Sequence, residues 1–277
     1  MIIKGLIFDI NGTVTEINTN EWHDEIYRIL SNLLLYQGVS LSEQEVRDLY
    51  NRLLKNQREA GGEEYPEFNA TGIFREMIDL HATAFTRSLP VEKLEQLPLF
   101  LAETFRAASL FRLKRYRGVK DTIKELHQQY QLAALSDGQT AWAVPELQAV
   151  GLLDYFTPVI VSGDHGFRKP DQRLFAMTLE AMQLQPEEVI FVGNDMYRDV
   201  FGAQQFGLKT VFFQSNQGQQ QYEGTEPDYI IYTFPELLNA VRFFSDQPQT
   251  VQPECNKVEA TQDEGWCICS EEEAPSC

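Results

Sequence analysis

Carboxylates, amides, a serine and a lysine stand at the ends of apolar runs in this chain. Asp9 and Asn11 close "LIFDINGTV", and Ser136, Asp137 and Gly138 follow "LAAL". Asn194, Asp195 and Asp199 follow "VIFVG", and Lys169 lies in "GFRKPD" just beyond another run. In an open α/β sheet, ligands sit at the carboxyl ends of the strands, so residues in these positions are expected to converge. Converging carboxylates repel unless a cation joins them, and oxygen donors without histidine or cysteine suit Mg²⁺ rather than zinc. A phosphoryl group needs positive charge in turn, which Lys169 and such a metal supply. Asp9 ending a strand, Ser136 satisfying a turn and Asp195 with Asp199 opening a helix are the plainer readings. The four-residue spacing of Asp195 and Asp199 places them on one side of a first turn, which favours metal ligation.

The elements that would position this set are legible as well. "IKGLIFDI", "LAALSDG", "PVIVSGD", "EVIFVGND", "KTVFFQS" and "DYIIYTF" are short and rich in β-branched and aromatic residues. "VKDTIKELHQQY", "DQRLFAMTLEAMQL" and "FPELLNAVRFF" between or after them carry helical spacing, with Asp171 placed to cap the second. Strand alternating with helix predicts an α/β fold with a parallel sheet covered on both faces. The interval from Glu16 to Lys114 breaks the alternation and reads as helices only. One is expected to end at Gly38, the next to open with a capping box at Ser42 and Glu45, and the last to contain Pro98. The expected domains are a core of residues 1–15 and 115–245, a helical cap of 16–114, and an acidic, disordered tail of 246–277. No internal repeat is evident.

A formal net charge of −18 over 277 residues argues against nucleic-acid and anionic-membrane partners. The richest basic stretch, "FRLKRYRGVK" from Phe111 to Lys120, reads as a solvated helix end and linker. All four cysteines, Cys255, Cys267, Cys269 and Cys277, fall in the tail, so thiol catalysis is not expected in the core, and free thiols are favoured over zinc ligation or a disulfide. The start of the chain lacks the features of a cleavable signal and no run approaches a membrane span, so a cytoplasmic location is expected. Composition sets no oligomeric state.

"FDINGT", "LSDG", "FRKPD" and "VGNDMYRDVFGA", in this order and on these elements, resemble the four motifs of the haloacid dehalogenase-like hydrolase superfamily. The resemblance implies a Rossmann-like core, with the helical insert in the place of that family's C1-type cap. It implies Asp9 as the nucleophile forming an aspartyl intermediate, Ser136 binding the transferred group, and Lys169 holding the nucleophile and neutralising charge. Mg²⁺ would be held by Asp9, Asp195 and Asp199 with Asn194, and by the main-chain carbonyl of Asn11. Thr13, Ser136, Asp137, Gly138 and Lys169 would line the substrate's phosphate. His165 is expected to be a loop histidine without a catalytic part, and Glu16, Trp22, Arg58 and Tyr65 in the cap to shape specificity.

The departure is Asn11, where the family's phosphatases carry an aspartate that protonates the leaving oxygen and then activates water. An amide hydrogen-bonds but does not exchange a proton usefully. The favoured expectation is a Mg²⁺-dependent phosphatase or phosphotransferase acting on a small phosphorylated metabolite with a good leaving group. The alternatives are a 2-haloacid dehalogenase, whose departing halide needs no proton, and a weakened module that binds a phospho-ligand or a protein.

Overall fold

The computed structural model of the protein describes residues 2–246, so the acidic tail and its cysteines lie outside the described residues. The chain opens with β1 (Gly5–Phe8), every residue of which is buried, and then β2 (Thr15–Thr19). The insert follows: α1 (Asp24–Tyr36), α2 (Glu43–Ala60), α3 (Ala70–His81), α4 (Ala84–Arg87) and α5 (Val91–Ser109). Then come β3 (Leu110–Arg115), α6 (Val119–Leu126), β4 (Gln131–Ser136), α7 (Thr140–Ala149), β5 (Val159–Val161) and α8 (Gln172–Met182). β6 (Val189–Gly193) leads into a π-helical turn, Met196–Phe201, and α9 (Gly202–Gln205). β7 (Lys209–Phe213), β8 (Tyr229–Ile231) and α10 (Leu237–Asp246) complete the order.

Six strands form one parallel sheet in the order β5-β4-β1-β6-β7-β8, with β1 between β4 and β6 near its centre. The crossover helices cover both faces, and a separate apolar cluster lies on each. This is the α/β, Rossmann-like core expected from the alternation of runs. Phe8, Leu6 and Ile190 pack on one face while Ile7, Phe191 and Phe175 pack on the other, as the two-residue period of a strand requires.

Capping fixes several helix ends where the sequence placed them. Ser42 and Glu45 form the reciprocal capping box of α2, Asp171 Oδ1 accepts from the Arg173 amide at the start of α8, and Gly38 follows α1 with φ +81°. One expected helix, "GIFREMIDLHATAFTRSL", divides into α3 and α4, because Thr83 caps a new start by accepting from the Thr86 amide.

Two features correct the sequence reading. The stretch from Glu16 to Lys114 is not helical throughout: its ends pair as an antiparallel ribbon, β2 with β3, and the expected boundaries at 15/16 and 114/115 fall inside those strands. "FRLKRYRGVK" accordingly begins as a strand, not as a helix end. α7 was not anticipated at all. Four of its residues, Trp142, Ala143, Glu146 and Leu147, are buried, and Trp142 belongs to the apolar cluster of the insert while Ala143 and Leu147 belong to that of the sheet. A helix packed on two sides has no single apolar stripe to read.

The insert has its own core, built around Phe74, Phe105, Tyr50 and Leu101. Phe105 stacks on Trp142 at 6.1 Å, and the Trp142 indole N–H donates to the Ala102 carbonyl at 2.9 Å, so α5 rests on α7. No described helix is long and apolar enough to cross a membrane.

Candidate active site

The residues that end β1, β4 and β6 come together with Lys169. Asp9 is 7% exposed, Lys169 2%, Asp199 1% and Ser136 1%, so the charges meet away from bulk water. The Lys169 ammonium donates to Asp9 Oδ1 at 2.7 Å, to Asp199 Oδ1 at 2.7 Å and to the Leu135 carbonyl at 3.2 Å. Burial opposes its charge, but Asp199 and Asp9 outweigh that cost and hold Lys169 protonated well above the ordinary lysine range.

The other oxygen of each carboxylate is occupied too. Thr13 Oγ1 lies 3.0 Å from Asp9 Oδ2 and 2.9 Å from Asn194 Oδ1. Asp199 Oδ2 accepts from the Asn194 and Asp195 amides, each at 3.0 Å. Burial pushes Asp199 up to about 6 against the pull of Lys169. This packing depends on two glycines. A Cβ at Gly193 would lie 2.4 Å from that of Asp199, and one at Gly12, whose φ is +92°, would lie 2.3 Å from Asn194 Nδ2.

Asp195 is engaged elsewhere. Its Oδ1 accepts from the Tyr197 and Arg198 amides at 3.1 and 2.8 Å, capping the π-helical turn, and its Oδ2 accepts from Arg198 Nη2 at 2.8 Å and the Gln219 amide at 3.0 Å. Burial works against this charge, yet the Arg198 bonds hold Asp195 below the usual carboxylate value.

The residues expected at the substrate's phosphate have mixed surroundings. Asp137 Oδ1 accepts from the Lys169 amide at 2.9 Å and so orients the lysine's backbone, while its buried Oδ2 has no hydrogen-bond partner. Burial raises its pKa. The Gly138 amide already donates to Ser162 Oγ at 2.9 Å. Ser136 makes only a long 3.4 Å contact to the Asp137 carbonyl, which leaves its hydroxyl available. Asn11 Oδ1 accepts from Thr15 Oγ1 at 3.0 Å. His165 is exposed, with its ring 6.0 Å from that of Phe167.

The donor set can be tested against Mg²⁺. Thr13 owns one hydroxyl proton and cannot satisfy both Asp9 Oδ2 and Asn194 Oδ1, so two oxygens face each other across a single donor. Asp9, Asn194 and the Asn11 carbonyl make an all-oxygen set with one carboxylate, and Mg²⁺ commonly takes one or two carboxylates and keeps several waters. That set fits. Asp195 and Asp199, expected as ligands, present oxygens already committed to N–H donors.

A cavity of about 190 Å³ lies beside these residues, between insert and core. Asn11, Ser136, Asp137 and Gly138 line it together with Glu21, Phe68, Arg106, Gln139, Trp142, Ala143 and Glu146. Of the cap residues expected to shape specificity, none lines it. Glu16 pairs with Arg112 and Lys114 in the ribbon, Trp22 is 73% exposed, and the Arg58 guanidinium lies 5.1 Å over the ring of Phe68. The lining residues other than Asn11, Ser136, Asp137 and Gly138 were not singled out, because their meeting is a long-range consequence of how α5 sits on α7.

Comparison with known proteins bears on this geometry. The profile of haloacid dehalogenase-like hydrolases matches residues 3–207, which takes in the ends of β1, β4 and β6 and the whole insert. The chain belongs to the haloacid dehalogenase-like hydrolase family. Within it, the chain is 31% identical over 132 residues to a glyceraldehyde 3-phosphate phosphatase of Pyrococcus furiosus, an alignment covering 47% of this chain and 55% of that protein. It is 22% identical over 242 residues to a protein of the same name from Methanocaldococcus jannaschii, covering 87% of this chain and 98% of that one. The fold is shared with the crystal structure of a 2-haloacid dehalogenase from Pseudomonas syringae, with a TM-score of 0.63, 18% identity, and coverage of 88% of this chain and all of that one.

Proposed function

We propose that this hydrolase is a phosphatase that transfers the phosphoryl group of a small metabolite to Asp9 and releases it to water. The observation that carries the reading is the 2.7 Å bond from Lys169 to Asp9 Oδ1 at the end of the central strand. It fixes one carboxylate oxygen and sets the orientation of the group beside a buried cation. The relatives named as phosphatases support the same class.

Ser136, with its hydroxyl uncommitted at the cavity wall, would donate to the transferred group, and Lys169 would offset negative charge on it. Asp199 acts through Lys169, and Asp137 through the lysine's backbone, as positioning residues. Mg²⁺ would be held by Asp9, Asn194 and the Asn11 carbonyl, and when bound it supplies positive charge to the phosphoryl oxygens. Asn11 hydrogen-bonds a leaving oxygen without protonating it, so phosphates with good leaving groups, acyl or aryl, are the fastest substrates.

The test is turnover of acetyl phosphate and an aryl phosphate with Mg²⁺ by the wild type and by Asp9→Asn. Turnover by the wild type, lost in Asp9→Asn, is the expected result. Undiminished turnover by the variant would remove Asp9 from the chemistry. Turnover of 2-haloacids in place of phosphates would give the site to halide displacement.

A further inference from the structure

One buried ion pair belongs to the lining of the cavity. Arg106, from α5, donates through Nε to Glu146 Oε1 of α7 at 2.5 Å. The side chains are only 12% and 6% exposed. Glu146 Oε2 is buried and has no hydrogen-bond partner, and Glu146 is one of the residues around the cavity. Arg106 Nη1 lies 3.4 Å from Glu21 Oε1 at the half-exposed rim, and Nη2 has no acceptor among the described residues. A buried carboxylate oxygen without a donor is costly unless a ligand or water satisfies it.

The charges decide which ligand. Among the described residues Arg106 is the one cation lining the cavity, and Glu146 already neutralises it. With Glu21 and Asp137 also on the wall, the lining carries no spare positive charge for a second anionic group. What it offers is an unpaired acceptor, Glu146 Oε2, next to a free donor, Arg106 Nη2. A hydroxyl answers both, since it donates one hydrogen bond and accepts another. The volume of about 190 Å³ admits only a small body.

We propose that the cavity formed by Arg106, Glu146 and Glu21 selects phosphorylated substrates whose body is uncharged and carries hydroxyl groups, and rejects those that carry a carboxylate. This rests on the phosphatase reading for the identity of the reacting group. The binding preference itself belongs to the cavity and is measurable without turnover. Asn11 governs how fast the ester breaks, and this cavity governs which body is held.

The experiment measures binding of three ligands of similar size to the full-length Asp9→Asn variant by calorimetry: propyl phosphate, glycerol 1-phosphate and 2-phosphoglycolate. Glycerol 1-phosphate is expected to bind tightest, by ~10- to 150-fold over propyl phosphate, the range for a hydrogen bond to a charged partner. Adding Glu146→Gln frees Arg106 and should reverse the order of glycerol 1-phosphate and 2-phosphoglycolate. Because that change touches a buried pair, Glu21→Gln at the rim is the second variant. It should tighten 2-phosphoglycolate severalfold while leaving the pair in place.

2-Phosphoglycolate binding as tightly as glycerol 1-phosphate before the Glu146 change would overturn the inference, as would no binding of any of the three. The expected order together with a wild type that hydrolyses no phosphate would uphold the cavity's preference and sink the phosphatase reading.

Discussion

The Lys169 ammonium stands 2.7 Å from both Asp9 and Asp199, so one buried cation joins the candidate nucleophile at the end of β1 to a carboxylate that follows β6. Removing it leaves two buried carboxylates facing each other. Lys169→Met is therefore expected to cost about 3–5 kcal/mol of stability, the range for breaking a buried pair, and at least ~10²-fold in turnover. Denaturant unfolding and steady-state rates measure the two. A loss of stability under ~1 kcal/mol would show that the carboxylates find other partners or take up protons at little cost.

Trp142 carries the joint between insert and core, stacked on Phe105 and bonded to the Ala102 carbonyl. Trp142→Ala should destabilise by about 3–5 kcal/mol, as large-to-small core changes do. Trp22→Ala should stay within about 0.5 kcal/mol, because that ring is 73% exposed. Equal effects from the two would mean that Trp142 does not carry the joint.

Glu67 supplies a pH dependence. It lies in the insert at 7% exposure and accepts from Ser162 Oγ of the core at 3.1 Å. Burial, helped by Asp137, raises its pKa above 4.5 in the folded state, against the bonds from Phe68 and Ser162. A carboxyl raised on folding favours the native state below its unfolded pKa, and that contribution is lost as pH rises through the folded value. Glu67→Gln, which cannot ionise, should therefore gain stability relative to wild type as pH increases from about 4.5 and then level off. Thermal unfolding of both proteins from acid to neutral pH is the check. A difference independent of pH would mean Glu67 keeps an ordinary pKa.

The candidate nucleophile was legible in the sequence because strands end where apolar runs end, and Asp9 and Ser136 occupy those ends, while Lys169 was marked by the "FRKPD" motif in the loop after β5. Six strands were legible for the same reason. What escaped was whatever depends on two elements meeting. The ribbon was readable in part, since Thr15, Ile17 and Thr19 alternate as β-branched residues, but its partner "LFRLKR" is rich in charge and pairs across a separation of nearly a hundred residues. α7 gave no periodic signal, and with it went Trp142, Glu146 and the cavity. The spacing of Asp195 and Asp199 was read correctly as one side of a turn. It could not reveal that Asp199 also accepts from Lys169 and Asp195 from Arg198.

Those committed carboxylates make a metal prediction. If Asp9, Asn194 and the Asn11 carbonyl hold Mg²⁺, Asn194→Asp adds a second carboxylate and should tighten binding by about tenfold or more, since affinity for hard cations follows ligand charge. Asp195→Asn should act chiefly on stability, through loss of charge opposite Arg198. Titration calorimetry with Mg²⁺ separates the two. A larger loss of affinity from Asp195→Asn than gain from Asn194→Asp would return Asp195 to the ligand set.

The last prediction concerns Asn11. Its Oδ1 accepts from Thr15 Oγ1 at 3.0 Å and it lines the cavity, so an aspartate there keeps the same bond and the same volume while gaining a group that can exchange a proton. General acid-base catalysis contributes ~10²- to 10⁴-fold, and Asn11→Asp should recover part of that range on alkyl phosphates, whose leaving oxygen departs poorly without a proton. On an aryl phosphate the gain should be small and confined to faster breakdown of the aspartyl intermediate. The added negative charge sits beside the Asn11 carbonyl, so Mg²⁺ affinity must be measured in parallel and rates compared at saturating metal. An alkyl rate that stays flat with metal bound would mean proton transfer is not what limits this site, and would move the assignment toward halide displacement, which needs none.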